Sequence, residues 1–412
     1  MPEFVADFHI HSRYSRATSS QLTIQELAKW AKLKGIGLLG TGDFTHPLWL
    51  QELKDALRPT GRGLFEFEGT RFLLTAEVNT LFYKRGKAHN IHHVVFVPSF
   101  EAAERINQEL AHFGSLSLDG RPILQMEAWR LVEVVLGLEP RGLIVPAHAW
   151  TPHFAIFGSN SGFDTVEECF EHQTKNISVL ETGLSSDPAM NWRLSTLDRY
   201  TLISNSDSHS ARRIGREANV FNCELDYNEI VTALKTKDTT KFLYTVEFFP
   251  AEGKYHFDGH RKCNVRFSPQ QTRQQGFRCH ACGRPVTVGV MHRVEKLADR
   301  AEGERPSGAI PYRNIVPLEE IIANALGVGV GTQTVEREYL SLIDLCGTEF
   351  DALLKTHEEE LRKGAPARIV EGIMRMREGK VSVEPGYDGE YGKVKLFAEE
   401  EAVSPEQQMT LF

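Results

Sequence analysis

The stretch Phe4-Val5-Ala6-Asp7-Phe8-His9-Ile10-His11 shows the pattern that decides the fold, an apolar run that leads into polar residues. Comparable runs recur through the first 248 residues: 37–40 before Asp43, 72–74 before Glu77, 143–145 before His148, 177–180 before Glu181, and 202–203 before Asp207 and His209. The run 94–97 instead follows His92 and His93, and amphipathic helical patterns such as 22–30 and 100–113 lie between runs. This alternation predicts an α/β fold with a largely parallel sheet. About seven strands with polar residues at their C-terminal ends indicate a barrel, because barrel active sites gather at that face.

The composition is that of an ordinary globular protein. The 412 residues suggest two or three domains, and 41% of them are hydrophobic and 25% charged. No apolar run approaches the roughly 18 residues of a membrane span. Residues 1–7 lack the basic-then-apolar pattern of a signal peptide, and six cysteines are too few for a disulfide scaffold. We therefore expect a cytoplasmic protein with no membrane partner.

The charge is distributed unevenly. The net charge of −8 disfavours nucleic-acid binding, but residues 254–300 contain ten Lys or Arg against three Asp or Glu, a net of +7. This basic segment is either a DNA-contacting surface or simply a solvated one.

Changes in pattern divide the chain into four parts. Strand and helix patterns alternate over residues 1–248, and a Gly-, Arg- and Cys-rich segment covers 249–300. Helical patterns return over 301–395, at 318–322, 334–344, 349–362 and 366–377, and residues 396–412 form an exposed tail. The Gly-rich residues 327–331 either connect two helices or bind phosphate through backbone N–H groups.

Imidazoles and carboxylates converge on one end of the predicted barrel. His9 and His11 lie two residues apart, so they face the same side of a strand. Asp43, Glu77, His148, Asp207 and His209 stand at the other run ends. Buried charges of this kind coexist most readily around a metal, and this ligand chemistry suits zinc, iron or manganese. A hydrogen-bonded polar network is the alternative.

These motifs resemble those of the PHP (polymerase and histidinol phosphatase) superfamily. The resemblance implies a PHP-type distorted (β/α)7 barrel with a centre of two or three metals, zinc with manganese or magnesium as partial substitutes. The implied ligands are His9, His11, Glu77, His148, Asp207 and His209, with one histidine of the His92–His93 pair; we prefer His92. The family usually has an Asp-His dipeptide where this chain has Asp43-Phe44-Thr45-His46, and we prefer Asp43 to His46 as the ligand. Ala17 stands where many members carry another ligand, so one metal is held more loosely or the centre is smaller.

Further motifs are similar to those of the endonuclease Q family along nearly the whole chain. They are Gly40-Thr41-Gly42-Asp43, Glu181-Thr182-Gly183-Leu184-Ser185-Ser186-Asp187-Pro188, Asn205-Ser206-Asp207-Ser208-His209, Gly259-His260-Arg261-Lys262-Cys263, Cys279-x-x-Cys282-Gly283 and Glu384-Pro385-Gly386-Tyr387-Asp388-Gly389. The resemblance implies a DNA repair endonuclease that nicks double-stranded DNA on the 5′ side of deaminated bases (uracil, hypoxanthine, xanthine) and at abasic sites.

We expect catalysis by a metal-activated water. The catalytic residues would be Asp207 as ligand and proton acceptor, Glu77 as the bridge between metals, and His9 as a ligand. The damaged base would flip into a pocket, with residues 182–187 and 150–157 as candidate walls.

The cysteine cluster predicts a structural zinc. His260, Cys263, Cys279 and Cys282 form two short-spaced ligand pairs, which suit a closed tetrahedral site. His256 and His292 are rival fourth ligands, and three unligated cysteines are the alternative. So small a segment lacks its own apolar core, so metal binding would supply its folding free energy. Its basic residues, among them Arg261, Lys262 and Arg278, would then face DNA phosphates.

The chain ends in Gln408-Met409-Thr410-Leu411-Phe412, which resembles the bacterial sliding-clamp binding pentapeptide. Gln408, Met409, Leu411 and Phe412 would make the contacts, in a bacterial protein associated with the nucleoid. Two rival functions remain at this stage: a phosphatase for small phosphate monoesters, which needs no zinc module, and a non-catalytic DNA-binding clamp adaptor.

Overall fold

The computed structural model describes residues 3–397. Its strands are β1 (Phe4–Asp7), β2 (Ile36–Gly40), β3 (Arg58–Pro59), β4 (Phe65–Phe67), β5 (Thr70–Lys84), β6 (Lys87–Val97), β7 (Ile123–Leu124), β8 (Leu143–Pro146), β9 (Val179–Glu181), β10 (Thr201–Ile203), β11 (Ala218–Phe221), β12 (Phe242–Glu247), β13 (Asp258–His260), β14 (Val265–Phe267), β15 (Tyr312–Asn314), β16 (Ser382–Glu384) and β17 (Lys393–Lys395). The α-helices are α1 (Ile24–Lys34), α2 (Pro47–Ala56), α3 (Phe100–Leu110), α4 (Ala128–Leu138), α5 (Val166–Phe170), α6 (Pro188–Trp192), α7 (Tyr227–Thr236), α8 (Pro269–Gln274), α9 (Val290–Leu297), α10 (Leu318–Leu326), α11 (Gln333–Cys346), α12 (Glu349–Leu354), α13 (Glu358–Leu361) and α14 (Ala367–Arg377). No helix within this part of the chain is both long and apolar enough to cross a membrane.

The main sheet is mixed, not largely parallel as the alternation predicted. Within residues 3–397 it has eleven strands; β1-β2-β5 form a parallel run at its centre, and β5-β7 and β12-β15 are further parallel pairs. Arg85 and Gly86 both adopt the left-handed conformation that a two-residue hairpin turn needs. Strand β6 therefore runs back along β5, and β8 pairs antiparallel with β6. On the other side, β11 and β12 add antiparallel strands.

The parallel pair β9-β10 forms a separate ladder that lies between β8 and β1. Single backbone hydrogen bonds join it to both neighbours: Ala149 N–H donates to the Glu181 carbonyl at 2.9 Å, and His11 N–H donates to the Ser208 carbonyl at 3.0 Å. One buried apolar cluster takes residues from β1, β2, β5, β6, β8, β9, β10 and β11. These strands thus surround a common core, although their ladders do not form one continuous ring.

The C-terminal region packs on the sheet without a clean boundary at residue 301. Strand β15 adds an edge to the main sheet by pairing with β12. The buried Lys34 ammonium lies 2.7 Å from Glu349, whose carboxylate also accepts a hydrogen bond from Tyr339. The helix predicted over 349–362 is two helices, because Thr356 N–H and O–H both donate to the Asp351 carbonyl and close the end of α12.

Candidate functional site

Two overlapping groups of side chains come together from the strands β5 and β6 and from the segments that follow β1, β8 and β10. His9, His11, Glu77 and Asp207 form one group, and Glu77, His92 and His148 form the other. Within each group the candidate ligand atoms all lie within 4.8 Å of one another. The Glu77 carboxylate belongs to both, with Oε1 2.6 Å from His92 Nδ1 and Oε2 3.4 Å from His11 Nε2. A carboxylate with one oxygen in each group has the geometry of a bridging ligand.

The surroundings of His9 fit a metal ligand. Its Nδ1 lies 3.0 Å from the Glu181 carboxylate, whereas Nε2 is buried and has no hydrogen-bond partner among the described residues. Metal-bound histidines usually direct their second ring nitrogen to a carboxylate in this way. An unpaired buried nitrogen is costly, and a metal ion at Nε2 would satisfy it.

Sequence reasoning missed Glu181 as a site residue. It is fully buried and also accepts hydrogen bonds from His148 N–H and Asn205 Nδ2, both at 2.8 Å. It therefore fixes the orientations of His9 and His148 together. The available signal was its position at the end of a run, which it shares with Glu77.

Asp43 lies outside both groups. Its Oδ2 accepts hydrogen bonds from Ser12 N–H and Oγ–H and from Ser15, and its Oδ1 lies 3.1 Å from His11 Nδ1. The preference for Asp43 as a metal ligand stays a prediction, and these contacts place its carboxylate where it orients the His11 ring. The alternative, His46, is also outside the groups: its Nε2 pairs with the Ser117 carbonyl, and its ring stacks on Tyr14.

His92, His93 and His209 lie in different surroundings. His92 lies in the Glu77 group, whereas His93 points the other way and pairs with the Thr80 hydroxyl at 2.9 Å. Burial lowers the pKa of His93 to about 3. His209 belongs to neither group, although its ring centroid is 4.6 Å from that of His11; its Nδ1 is 2.9 Å from the Asp207 carbonyl oxygen.

The backbone at the site is held in an uncommon conformation. Asp43, His148 and Asp207 all have positive φ angles, of 49°, 31° and 46°. Such angles are rare outside glycine and cluster at functional sites. Gly183 lies directly beneath His148, where an added Cβ would come within 2.5 Å of the His148 Cβ. The Gly183 motif thus provides the space that His148 needs.

Opposite charges hold the site together electrostatically. Burial lowers the pKa of His9, but the carboxylates of Glu181, Glu77 and Asp207 hold it well above its usual value. Burial raises the pKa of Glu77, but His92, His9 and Arg121 hold it well below its usual value. Metal ions would therefore replace protons on these histidines, so metal binding competes with protonation.

Arg121 is a second site residue that the sequence did not reveal. Its guanidinium lies 3.2 Å from Glu77 Oε2, and 23% of its side chain is exposed. It comes from the loop before β7, where no motif marks it. A fixed, partly exposed guanidinium beside the two groups is suited to bind a phosphate oxygen.

Of the two predicted pocket walls, residues 150–157 cover the His92 side of the site. Phe154 has a φ of 64°, is 42% exposed and stacks on the His92 ring at 4.8 Å. Residues 182–187 approach His148 through Gly183.

The segment predicted to bind zinc, residues 249–300, here called the zinc module, brings His260, Cys263, Cys279 and Cys282 together, with their ligand atoms within 4.8 Å of one another. The turn at Cys279 has the geometry of a zinc knuckle, since Gly283 N–H donates to the Cys279 carbonyl at 2.8 Å. The rival His292 instead lies 2.7 Å from Asp258, and His256 is outside the group. Hairpin β13-β14 carries the first pair, and the apolar core consists of Val265, Phe267, Cys279 and Val286.

The predicted DNA-binding residues Arg261, Lys262 and Arg278 are all exposed on this module. The Arg261 guanidinium lies 3.8 Å from Glu390, so part of its charge is balanced within the protein. The predicted clamp-binding residues Gln408, Met409, Leu411 and Phe412 lie outside the described part of the chain.

Comparisons with known proteins give this site a context. A family model described as the MJ0043 C-terminal domain matches residues 317–380. The uncharacterized protein YqxK of Bacillus subtilis is 29% identical over 415 residues, which covers 96% of this chain and 100% of YqxK. The uncharacterized protein MJ0043 of Methanocaldococcus jannaschii is 32% identical over 257 residues, 60% of this chain but only 31% of MJ0043.

Two solved structures match over nearly the whole length. The lesion-specific endonuclease PfuEndoQ from Pyrococcus furiosus has a TM-score of 0.87 and 30% identity, and the match covers 98% of both chains. Endonuclease Q in complex with a 27-mer duplex substrate with an abasic lesion at the active site has a TM-score of 0.86 and 30% identity, covering 98% of this chain and 100% of that one. The chain therefore belongs to the endonuclease Q family.

Proposed function

We propose that this protein is a metal-dependent DNA repair endonuclease. It hydrolyses the phosphodiester on the 5′ side of deaminated bases (uracil, hypoxanthine, xanthine) and of abasic sites in double-stranded DNA. The observation that carries the proposal is the shared Glu77 carboxylate between two histidine-rich groups, in a chain that matches a DNA-bound endonuclease Q over 98% of its length.

The residues divide the chemistry between them. Zinc ions bound at His9, His11, Glu77, His92, His148 and Asp207, with manganese or magnesium as partial substitutes, would supply Lewis acidity and a water that ionises near pH ~7. Asp207, with a quarter-exposed side chain, is placed to accept the proton of the attacking water. Arg121 binds a nonbridging phosphate oxygen, and Glu181 keeps His9 and His148 in place.

The architecture proposed for this function is a PHP-type distorted (β/α)7 barrel over residues 1–248. The common core of β1, β2, β5, β6, β8, β9, β10 and β11 supports it. Residues 249–300 hold a structural zinc at His260, Cys263, Cys279 and Cys282 and present Arg261, Lys262 and Arg278 to DNA phosphates. Residues 301–395 form a mainly helical domain that contacts DNA.

The tail, residues 396–412, would tether the enzyme to a bacterial sliding clamp in the nucleoid. The sequence of residues 408–412 supports this proposal. Deleting these five residues should abolish clamp binding in calorimetry and leave nicking of short oligonucleotides unchanged. Equal clamp affinity with and without them would refute the assignment.

The function is tested with duplexes that differ at one nucleotide. End-labelled duplexes with uracil, hypoxanthine, xanthine, an abasic site or a normal base are incubated with enzyme that has been stripped of metal and then reloaded. Nicking of damaged duplexes only, and only after metal is restored, supports the proposal. Hydrolysis of a small phosphate monoester without DNA nicking would replace the endonuclease with a phosphatase.

A further inference from the structure

The segment between β10 and β11, residues 204–217, holds Asp207 in an uncommon backbone conformation. The φ angle of Asp207 is 46°, in the left-handed region that is unfavourable for residues other than glycine. Such a conformation persists only where the surrounding structure fixes the backbone on both sides of the residue. In this segment the fixing contacts come from the side chains of Asp7 and Arg216.

Asp7 joins the two ends of the segment. It is the last residue of β1 and is fully buried. Its Oδ1 accepts a hydrogen bond from Ser206 N–H at 3.1 Å, and its Oδ2 accepts one from Gly215 N–H at 2.8 Å. Because β1 leads directly into His9, the Asp7 carboxylate ties the strand before His9 to the segment that provides Asp207.

Arg216 holds the two peptide units that flank Asp207. Its Nε donates to the Ser206 carbonyl at 2.9 Å, and its Nη2 donates to the Asp207 carbonyl at 3.4 Å. The first carbonyl belongs to the peptide unit before Asp207 and the second to the unit after it. The orientations of these units about the Asp207 Cα are its φ and ψ angles, so one rigid, planar guanidinium fixes both.

The carboxylate of Asp207 is aimed by this backbone. On the far side of Asp207, His11 N–H donates to the Ser208 carbonyl at 3.0 Å, which ties the segment to the chain after β1. With the backbone held there, Asp207 Oδ1 lies 3.0 Å from His11 Nε2 and 3.7 Å from His9 Nε2. A φ in the ordinary negative range would redirect the Cα–Cβ bond and take the carboxylate away from these two rings.

We propose that Asp7 and Arg216 are positioning residues for the nicking reaction. Arg216 keeps Asp207 in its left-handed conformation, and Asp7 keeps the two ends of the segment together. The inference rests on the proposed function and adds to it the residues that aim Asp207. Neither Asp7 nor Arg216 belongs to either metal-binding group, so both act through Asp207 and not on the metal.

A double-mutant cycle on an abasic-site duplex tests this role by single-turnover nicking. Arg216→Lys keeps the positive charge but loses the fork of donors. It should lower the nicking rate about 10- to 100-fold, as for other residues that orient a metal ligand, and leave lesion-DNA affinity unchanged. In the Asp207→Asn background it should change the remaining rate by less than about twofold, because the carboxylate that it positions is then absent.

Asp7→Asn is the second variant. An amide has a single acceptor oxygen, so one of the two N–H groups loses its partner. The rate should fall about tenfold, and much less in the Asp207→Asn background. The matched control is Arg212→Lys in the same segment, whose exposed guanidinium pairs with Glu319, and its rate should match wild type.

Three outcomes would contradict the inference. Equal losses in the wild-type and Asp207→Asn backgrounds would show that Asp7 and Arg216 only support the fold. A wild-type rate in Arg216→Lys would show that the charge suffices without the fork, and this variant, at a half-buried side chain, decides if Asp7→Asn does not fold. A wild-type enzyme that nicks no damaged duplex would overturn the proposed function and this inference with it, whereas the first two outcomes require an active wild type.

Discussion

The metal centre and the zinc module bring similar side chains together on very different foundations. The metal centre draws its residues from strands and loops that range from His9 to Asp207, and almost all of these side chains are buried in a body with a large core. The zinc module gathers its group between His260 and Cys282 over a four-residue core, with Cys282 exposed. We therefore expect the fold to position the ligands of the metal centre, and metal binding to stabilise the fold of the zinc module.

Substitution of Asp207 should have the largest effect on the metal centre. We expect Asp207→Asn to lower the nicking rate by more than about a hundredfold, because it removes a charged ligand and the proton acceptor. Lesion-DNA affinity and the melting temperature should change little, because the fold does not depend on this carboxylate. Rates from gel assays, DNA affinities and melting curves measure the three effects. Wild-type turnover in the variant would remove Asp207 from the mechanism.

A variant of Glu181 tests how the fold orients the histidines of the metal centre. Glu181→Gln keeps the shape but removes the charge beside His9 Nδ1, at 3.0 Å. We expect activity or metal affinity to fall by about 10- to 100-fold, as for other residues that orient metal-bound histidines. Metal titrations followed by nicking assays measure the change. The matched variant Glu133→Gln, at a half-buried carboxylate of α4 that pairs with Arg130 and His172 and lies outside both groups, should behave like wild type.

The zinc module should respond in the opposite way to the metal centre. Cys279→Ser combined with Cys282→Ser should remove about one equivalent of zinc and unfold residues 249–300 only. DNA affinity should fall about tenfold, while the barrel remains folded. Elemental analysis and limited proteolysis report the two effects. Unchanged zinc content would contradict the four-ligand assignment, and loss of the whole fold would contradict the separation of the two regions.

The salt dependence of DNA binding tests whether the DNA contacts the zinc module. Changing Arg261 and Lys262 to Ala should flatten the slope of log K against log salt by up to about two units, at roughly 0.9 per phosphate contact. Fluorescence anisotropy across a salt series measures the slope. Because Arg261 also approaches Glu390, Lys262 should account for the larger share. An unaltered slope would place the DNA elsewhere.

A smaller effect concerns a buried carboxyl in the body of the sheet, next to the metal centre. Burial raises the pKa of Glu247 to about 8, and the hydroxyls of Thr245, Thr182 and Ser204 surround its carboxyl group. The unfolded chain loses this proton above its usual pKa of about 4.5, whereas the folded protein keeps it until about 8. Stability from this group therefore falls as pH rises between these values. Glu247→Gln should reduce the drop in melting temperature between pH 5 and pH 8 by about 2–4 °C. An equal drop in both proteins would show that Glu247 is ionised when folded.

The sequence predicted which residues lie close together better than it predicted the hydrogen-bond partners of each one. The sequence pattern singled out His9, His11, Glu77, His148 and Asp207, and these residues lie together in the structure. Glu77, however, lies in the middle of the long strand β5 and not at a strand end. The pattern could not show that Ser12 and Ser15 donate hydrogen bonds to the Asp43 carboxylate, since those contacts depend on the path of a loop. The contact between Arg121 and Glu77 could not be predicted either, because Arg121 also lies in a loop.

For the secondary structure, strongly periodic helices were predicted and a hairpin was not. Helices with strong periodicity, such as α11 and α14, lie within a few residues of their predicted bounds. The antiparallel β5-β6 hairpin was missed because the decisive signal, two left-handed residues at Arg85 and Gly86, is local and weak in the sequence. The four residues His260, Cys263, Cys279 and Cys282 do lie together, and their short spacing is what made this grouping readable from the sequence. That the group binds zinc stays a prediction.

The position of the nick and the chemistry of its ends test the proposed endonuclease activity. A duplex with a single hypoxanthine, labelled at either end, is cut by the metal-loaded enzyme and mapped at nucleotide resolution. We expect one nick at the phosphodiester 5′ of the lesion, with a 3′-hydroxyl that a polymerase extends and a 5′-phosphate that a ligase accepts. A cut on the 3′ side, a released free base, or ends that neither enzyme accepts would contradict it.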